Sequence, residues 1–276
     1  MTVPERPSLL ENLDRVRELL RAQSFGLFTD VDGTIAPTSR TPDAAIVEPA
    51  CAESLRSMVG RFLLVAAVSG RSMEDLRRML TVDGMVYVAN HGMERWRDNH
   101  SDVAPGAQAY YAEVRQALEE IKDSLIDDGI AVEDKGVVVA FHYRLASDPV
   151  GAERRLREAI AKSLGARRLA VHAGKMLIEV KPPVELSKGT ALRELIAEFG
   201  LNAGIYLGDD RTDVEAMTAL RELRGKGFDG IGVGVLGGAE TPPGLLEACD
   251  YTLASVDEVC RFYAWLAEES RGLERG

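Results

Sequence analysis

Asp30 and Asp32 stand two residues apart in the stretch FGLFTDVDGTIAPT, Phe25 to Thr38, directly after a run of apolar and aromatic residues. In an extended segment residues i and i+2 share a side, so both carboxylates can face one reaction centre. One acid can attack phosphorus while the other protonates a departing alkoxide and later takes a proton from water. A carboxylate approaching a phosphate is repelled, and a divalent cation with an ammonium offsets that repulsion in a site of reduced dielectric. The chain supplies candidates for both. Asp209 and Asp210, with Asp213 one helical turn further on, add carboxylates without histidine or cysteine partners, a hard oxygen site that suits Mg2+ better than zinc. Lys188 opens a helix, where a cation is disfavoured unless an anion is close. Ser69-Gly70-Arg71 brings a hydroxyl to a strand end, and Gly33 allows a sharp turn that leaves Thr34 to orient the loop.

Taken singly, each motif has a structural reading. Asp30 and Asp32 suit turns, Ser69-Gly70 a strand-to-helix turn with Ser72 as N-cap, Lys188 an exposed first turn, and GDDRTD an acidic helix start. Three carboxylates within five residues repel one another unless a cation or solvent relieves them. Together the clusters favour a single site.

The elements that must position these residues follow from periodicity. Ser8 with Glu11 fits a capping box, and Leu9, Leu10, Leu13, Val16, Leu19 and Leu20 predict an amphipathic helix ending near Gln23. Phe25–Thr29 reads as a short strand, a helix begins near Pro49, and RFLLVAAV is a fully buried strand. SMEDLRRML and MVYVAN continue the alternation expected of a parallel sheet with right-handed crossovers. After Trp96 the stretch NHSDVAPGAQ reads as a polar connection, and a long helix runs from about Gln108 to Ile126. The strands GIAVED and GVVVAFHYR, the helix VGAERRLREAIAKSL and the hairpin RRLAVHAG–KMLIEVK, with Ala173-Gly174 as its turn, then predict an antiparallel α+β layer. Pro182-Pro183 returns the chain to alternation: strand AGIYLGD, helix TDVEAMTAL, strands GIGVGV and YTLA, and a closing helix from about Val256 to Glu269. The expected fold is α/β: a Rossmann-like core of mostly parallel sheet flanked by helices, 1–102 and 183–276, with an inserted α+β domain at 103–182. Asp30, Ser69 and Asp209 then sit just beyond the carboxyl ends of strands, where open α/β sheets bind ligands.

Composition narrows the partners. Of 276 residues, 46% are hydrophobic, enough for a large core, and the net charge of −11 lacks the basic face that nucleic acid or an anionic membrane needs. A monomer acting on a small anionic ligand is expected. Cys51, Cys249 and Cys260 show no C-x-x-C spacing and read as reduced thiols of core or helix in a cytoplasmic protein. The first twenty residues carry charges throughout and read as neither signal peptide nor membrane span. GVGVLG, Gly232 to Gly237, satisfies G-x-G-x-x-G, but GAETPPG follows where dinucleotide binding needs a helix, and no P-loop pattern occurs. His142 reads as a residue of an alternating strand face and His100 as a loop residue; neither has metal-ligand spacing.

DVDGT, VSGR, SKGTAL and GDDRTD, in this order, resemble the four motifs of the haloacid dehalogenase superfamily, and the insertion between the second and third resembles its C2-type α/β cap. The resemblance implies Asp30 as nucleophile, Asp32 as acid and base, Thr34, Ser69, Gly70 and Lys188 around the phosphate, and Mg2+ held by Asp30, the Asp32 carbonyl and Asp209. Asp210 and Asp213 would lie behind the metal. NHGMERW, VEDKGVVVAFHYR, GKMLIEVKPP and LGDDRTDVEAM are similar to segments of trehalose-6-phosphate phosphatases. That similarity implies sugar binding by Glu133, Lys135 and Glu179; Arg71 is a further substrate-binding candidate, His91 and Arg144 are weaker ones, and a closing cap is expected to hinge near Asp102–Gly106 and Val180–Pro183. The chain departs from the family at Asn90, where an apolar residue is usual, and at Val214, where an acid is usual. Phosphatases of other glycosyl phosphates (sucrose phosphate, mannosyl- or glucosyl-3-phosphoglycerate), a noncatalytic phosphate-responsive binding protein and a phosphomutase are the alternatives.

Overall fold

The computed structural model describes residues 5–39, 44–125, 129–174, 176–237 and 241–272. These divide into two compact units, one of Met1–Gly70, Asp75–Ser101 and Leu186–Gly276, the other of Arg71–Glu74 and Asp102–Glu185.

The first unit is built on an eight-stranded sheet. Its strands are β1 (Phe25–Thr29), β2 (Leu64–Val68), β3 (Val86–Ala89), β4 (Glu94–Arg97), β5 (His100–Val103), β10 (Ala203–Gly208), β11 (Asp229–Val235) and β12 (Tyr251–Leu253), in the order β12-β11-β10-β1-β2-β3-β4-β5. The six strands from β12 to β3 run parallel; β4 joins β3 antiparallel. Parallel strands need crossovers, and helices provide them: α1 (Leu13–Leu20), α2 (Pro49–Met58), α3 (Met73–Met79), α7 (Lys188–Glu198), α8 (Arg211–Leu223), the short α9 (Leu245–Ala248) and α10 (Val256–Glu269). Every residue of β1, β2, β3 and β10 is buried, which is why these strands read as unbroken apolar runs rather than alternating ones. On one face Phe28, Val68, Val88 and Tyr206 pack with Leu192 and Leu195 of α7 and Met217 and Leu220 of α8. Gly189 allows α7 to approach α8 closely, since a Cβ there would stand 2.6 Å from the Glu215 carbonyl oxygen.

The second unit is a four-stranded antiparallel sheet, ordered β6 (Ala131–Asp134), β7 (Val139–His142), β9 (Leu177–Lys181), β8 (Ala170–Gly174), with the helices α4 (Pro105–Gln108), α5 (Tyr111–Ser124) and α6 (Pro149–Lys162). Val139, Phe141, Ile178 and Val180 form its core with Val114, Leu118, Leu156 and Ile160 of the helices. Strand alternation sends the intervening residues, Ala140, His142 and Glu179, to the opposite face.

Five local expectations are corrected. The first helix is broken: a 3-10 turn over Leu9–Glu11 precedes α1, Asn12 donates to the Ser8 carbonyl, and the Ser8 side chain caps nothing. NHSDVAPGAQ is no mere connection, because His100–Val103 forms the edge strand β5, reached through Asp98 and Asn99, both at positive φ; exposed edge strands carry polar residues and so lack an apolar signature. The long helix begins at Tyr111, after α4. In the β8–β9 hairpin Ala173 pairs with Ile178 and Gly174 with Leu177, so both are strand residues rather than the turn, and Met176 has φ 63°. Finally, Cys51 of α2 and Cys260 of α10 form a disulfide, leaving Cys249 as a buried free thiol among the described residues. A sequence separation of 209 leaves no spacing signal for that pair. No described helix is long and apolar enough to cross a membrane.

Candidate active site

Asp30 follows β1, whose hydrogen-bond register continues as the Asp30 amide donates to the Leu207 carbonyl at 2.9 Å. The parallel pairing of β1 with β10 therefore places the end of β1 beside the end of β10, where Asp209 and Asp210 follow. Between them the chain turns at Gly33, which has φ 76°. A Cβ at Gly33 would lie 2.0 Å from Asp209 Oδ2, so only a bare backbone lets Asp209 settle against this loop.

Lys188 is the first residue of α7, after a reciprocal cap between Ser187 and Thr190. It is 2% exposed, and its Nζ donates to Asp30 Oδ1 at 2.8 Å and to Asp213 Oδ1 at 2.7 Å. The exposed first-turn alternative for Lys188 is thereby excluded. Asp210 is the N-cap of α8: its Oδ1 accepts from the Thr212 and Asp213 amides at 2.7 and 3.0 Å and stands 3.8 Å from Lys188 Nζ. Asp213, wholly buried, returns the cap by accepting from the Asp209 and Asp210 amides, both at 2.9 Å, on Oδ2. Ligand oxygens of Asp30, Asp209 and Asp213 lie within 4.8 Å of one another.

These carboxylates share one ammonium, Lys188, among the described residues, and their proton affinities register the shortage. Burial drives Asp209 up to about 7, and Asp213, Asp210 and, to a smaller extent, Asp32 add to the push. Asp213 is raised to about 6, again by burial first, with Lys188 opposing. Asp30 is pushed upwards by the same burial, and Lys188 pulls the other way. On Lys188, burial favours the neutral amine, but Asp213 and Asp30 outweigh it and keep the ammonium charged. Asp210 is held well below its ordinary value, because Lys188 and the cap hydrogen bonds outweigh its burial.

Such a cluster fits a divalent cation, and one atom makes the case specific. Asp209 Oδ1 is buried and has no hydrogen-bond partner, a costly state for a carboxylate oxygen that a cation relieves. Thr34 Oγ1 is likewise buried without a partner, a hydroxyl left available to an oxygen-rich ligand.

The pH dependence follows from these shifts. Carboxylates raised from 3.8 to about 7 and about 6 bind protons more readily in the folded than in the unfolded state. Their stabilising contribution is complete below the ordinary carboxylate range and is lost as pH rises through the folded values. Cation-free protein is therefore expected to melt at progressively lower temperature between about pH 5 and about pH 8, and added Mg2+ to restore the loss mainly at the alkaline end. Thermal denaturation with EDTA or Mg2+ across that range checks this; a cation effect equal at both ends would contradict it.

The other expected residues fall into two groups. Ser69 is buried at the end of β2, its carbonyl accepting from the His91 amide at 3.1 Å. His91, at φ 56°, follows Asn90 at φ 49°, and its ring lies against Gly70, where a Cβ would stand 2.4 Å from the imidazole. Two consecutive non-glycine residues in the left-handed region store strain that turns His91 toward the end of β2. Asp32 lies in the Gly33 loop that follows β1, bridged through its backbone to Ala36. All of these belong to the first unit. Glu133, Lys135, Arg144 and Glu179 belong to the second, as does Arg71. There Lys135 Nζ donates to Glu179 Oε1 at 3.2 Å and stands 3.9 Å from Glu133 Oε2, which is 2.7 Å from His142 Nε2. Burial opposes charge on Glu133, but the His142 hydrogen bond and Lys135 outweigh it and lower its proton affinity. Arg144 is exposed just past β7. Tyr206 was not among the expected residues: wholly buried in β10, its hydroxyl donates to Asp213 Oδ1 at 2.5 Å. Its signal is a lone phenol in an otherwise apolar strand, since buried tyrosine hydroxyls find partners.

Comparison with known proteins places this arrangement. Residues 28–235 match the model of the trehalose-phosphatase family. Trehalose-phosphate phosphatase B of Arabidopsis thaliana is 28% identical over 80% of this chain and 63% of its own length. A Mycobacterium tuberculosis protein described as an uncharacterized glycosyl hydrolase is 31% identical over 95% of this chain but only 20% of its own. The chain thus spans about a fifth of that relative and somewhat under two thirds of the plant one. The C-terminal domain of Candida albicans trehalose-6-phosphate phosphatase shares the fold, with a TM-score of 0.71 at 21% identity, over 97% of this chain and 99% of that domain. The match from β1 through β11, which spans every residue of the carboxylate–lysine cluster, settles the family: this chain belongs to the trehalose-phosphatase family.

Proposed function

We propose that the protein is a Mg2+-dependent sugar-phosphate phosphatase that hydrolyses trehalose 6-phosphate to trehalose and phosphate, acting as a monomer in the cytoplasm. The observation that carries the chemistry is the buried Lys188 ammonium holding Asp30 beside Asp209, whose Oδ1 has no partner. Asp30, the Asp32 backbone carbonyl and Asp209 would hold the cation. A bound Mg2+ supplies positive charge between the attacking carboxylate and the phosphoryl oxygens.

The chain's own residues do the rest. An oxygen of Asp30 forms a bond to phosphorus as the bond from phosphorus to the sugar oxygen breaks, and Asp32 gives its proton to that oxygen. The Asp32 carboxylate then takes a proton from water as the water oxygen attacks phosphorus and the Asp30–phosphorus bond breaks. Lys188, Thr34 and Ser69 would hold the phosphoryl oxygens, with Gly70 giving close backbone approach and His91 beside it. Asp210 and Asp213 would act behind the metal by fixing the loop that carries Asp209 and by orienting Lys188.

The second unit would bind the sugar. Glu133, Lys135 and Glu179 converge on one sheet face, and charged acceptors and donors pair strongly with vicinal hydroxyls; Arg71 and Arg144 are the further candidates. Phosphate release from a panel of trehalose 6-phosphate, sucrose phosphate, glucosyl-3-phosphoglycerate and glucose 6-phosphate tests the substrate, with the first turned over fastest. Equal, slow turnover of all four would defeat the disaccharide reading. Glu179→Gln is expected to raise KM for trehalose 6-phosphate about tenfold, the loss of one charged hydrogen bond, while leaving hydrolysis of p-nitrophenyl phosphate unchanged.

A further inference from the structure

The Asp213 carboxylate has every lone pair in use. Lys188 Nζ and the Tyr206 hydroxyl donate to Oδ1 at 2.7 and 2.5 Å, and the Asp209 and Asp210 amides donate to Oδ2, both at 2.9 Å. Two acceptor positions on each oxygen are thereby filled, with no exposed surface through which water could replace a missing donor, since Asp213 and Tyr206 are both wholly buried. Lys188 divides its donors between Asp213 Oδ1 and Asp30 Oδ1 at nearly equal distances, 2.7 and 2.8 Å.

We propose that Tyr206 is a positioning residue: by donating to the Asp213 oxygen that also binds Lys188, it limits the pull of Asp213 on the ammonium and so keeps Lys188 on Asp30. Two donors on one oxygen compete for the same charge. With the phenol hydroxyl gone, the whole of Asp213 Oδ1 faces Lys188, the ammonium moves toward Asp213, and Asp30 loses the partner that orients it for attack. The strand placement serves this role, because Tyr206 and Gly208 share one side of β10 and a Cβ at Gly208 would stand 2.6 Å from the Asp213 Cβ and Oδ2, so the β10 backbone and the phenol together fix where Asp213 sits. The effect on rate rests on the phosphatase reading above; the effect on Lys188 does not.

Tyr206→Phe, which keeps the ring and removes only the hydroxyl, separates the possibilities. The variant is expected to lower kcat for trehalose 6-phosphate about tenfold, the scale of one hydrogen bond to a charged group, with KM within about twofold of the parent because no sugar contact changes. In an Asp213→Asn background the same substitution is expected to cost nothing further; a multiplicative loss there, or an unchanged kcat in Tyr206→Phe alone, would overturn the proposal. A crystal structure of Tyr206→Phe gives the second readout: Lys188 Nζ is expected to have left hydrogen-bonding distance of Asp30, and an unmoved Lys188 would overturn the proposal whatever the rates. Parent protein inert toward every phosphate ester would instead defeat the phosphatase reading, and the crystallographic outcome would still decide the role of Tyr206.

Discussion

Asp30→Asn is expected to slow phosphate release by about 10,000-fold or more while leaving the protein folded. The magnitude is that of removing a nucleophile from a site whose other groups remain in place. An amide keeps the shape of the carboxylate and still accepts from Lys188, but it cannot form the bond to phosphorus. Stability is expected to hold, because the substitution removes one of several mutually repelling acids and Lys188 retains Asp213 as its partner at 2.7 Å. Melting temperature and rate measured together make the test: loss of both would point to misfolding, and retention of both would show that Asp30 takes no part in the chemistry.

Lys188→Met is expected to damage both stability and rate. The side chain is 2% exposed, and Asp30 and Asp213 are buried around it. A methionine of similar length fills the volume but leaves two interior carboxylates without a counter-charge. Removing one partner of a buried pair typically costs about 3–5 kcal/mol, which for a chain of this size is a fall in melting temperature of roughly 10 °C. The loss should be smaller at acid pH, since protonation neutralises the stranded carboxylates and a raised carboxylate pKa stabilises the fold only below that value. Phosphate release should fall at least about 100-fold if, as proposed, Lys188 is the positive group that holds the phosphoryl oxygens. A Lys188→Met protein as stable and active as the parent would remove Lys188 from the account.

What the sequence shows and what it hides have physical reasons. Strand ends are legible because a buried parallel strand is an apolar run that stops where polar residues begin, as at Thr29-Asp30 and Gly208-Asp209. The closing helix is legible too, since Ser255 caps it and its apolar face repeats through Val259, Phe262 and Leu266; its bounds, Val256–Glu269, match the expectation. Lys188 was readable as an anomaly, a cation at a positive helix end, and the structure resolves the anomaly with two buried carboxylates. Edge strand β5 was hidden because its residues face solvent and carry no alternation of polarity. The cystine joins residues brought together only by the packing of α2 against α10, which local spacing cannot encode. Tyr206 stands in an apolar strand with nothing nearby in sequence to name its partner; only the packing of β10 against α8 shows that its hydroxyl meets Asp213.

Asp210 and Asp213 illustrate a subtler limit. Both are acids of one motif, yet one is the N-cap of α8 and half exposed, while the other is wholly buried with four donors upon it. The sequence presents them as equivalent carboxylates. Helix phase separates them, since Asp210 lies just before the first turn and Asp213 ends it, facing back toward the sheet.

The most direct test of the account is to ask where phosphorus goes. Asp32→Asn protein, which on this account lacks the base that activates water, is mixed with Mg2+ and p-nitrophenyl phosphate, whose nitrophenolate leaves phosphorus without a proton from residue 32, then quenched in acid and digested for mass spectrometry. The account predicts a phosphoryl group on the peptide containing Asp30, labile to hydroxylamine and absent from the Asp30→Asn protein. Turnover by the parent enzyme with no phosphorylated peptide at any time, or a phosphoryl group on a different residue, would contradict it.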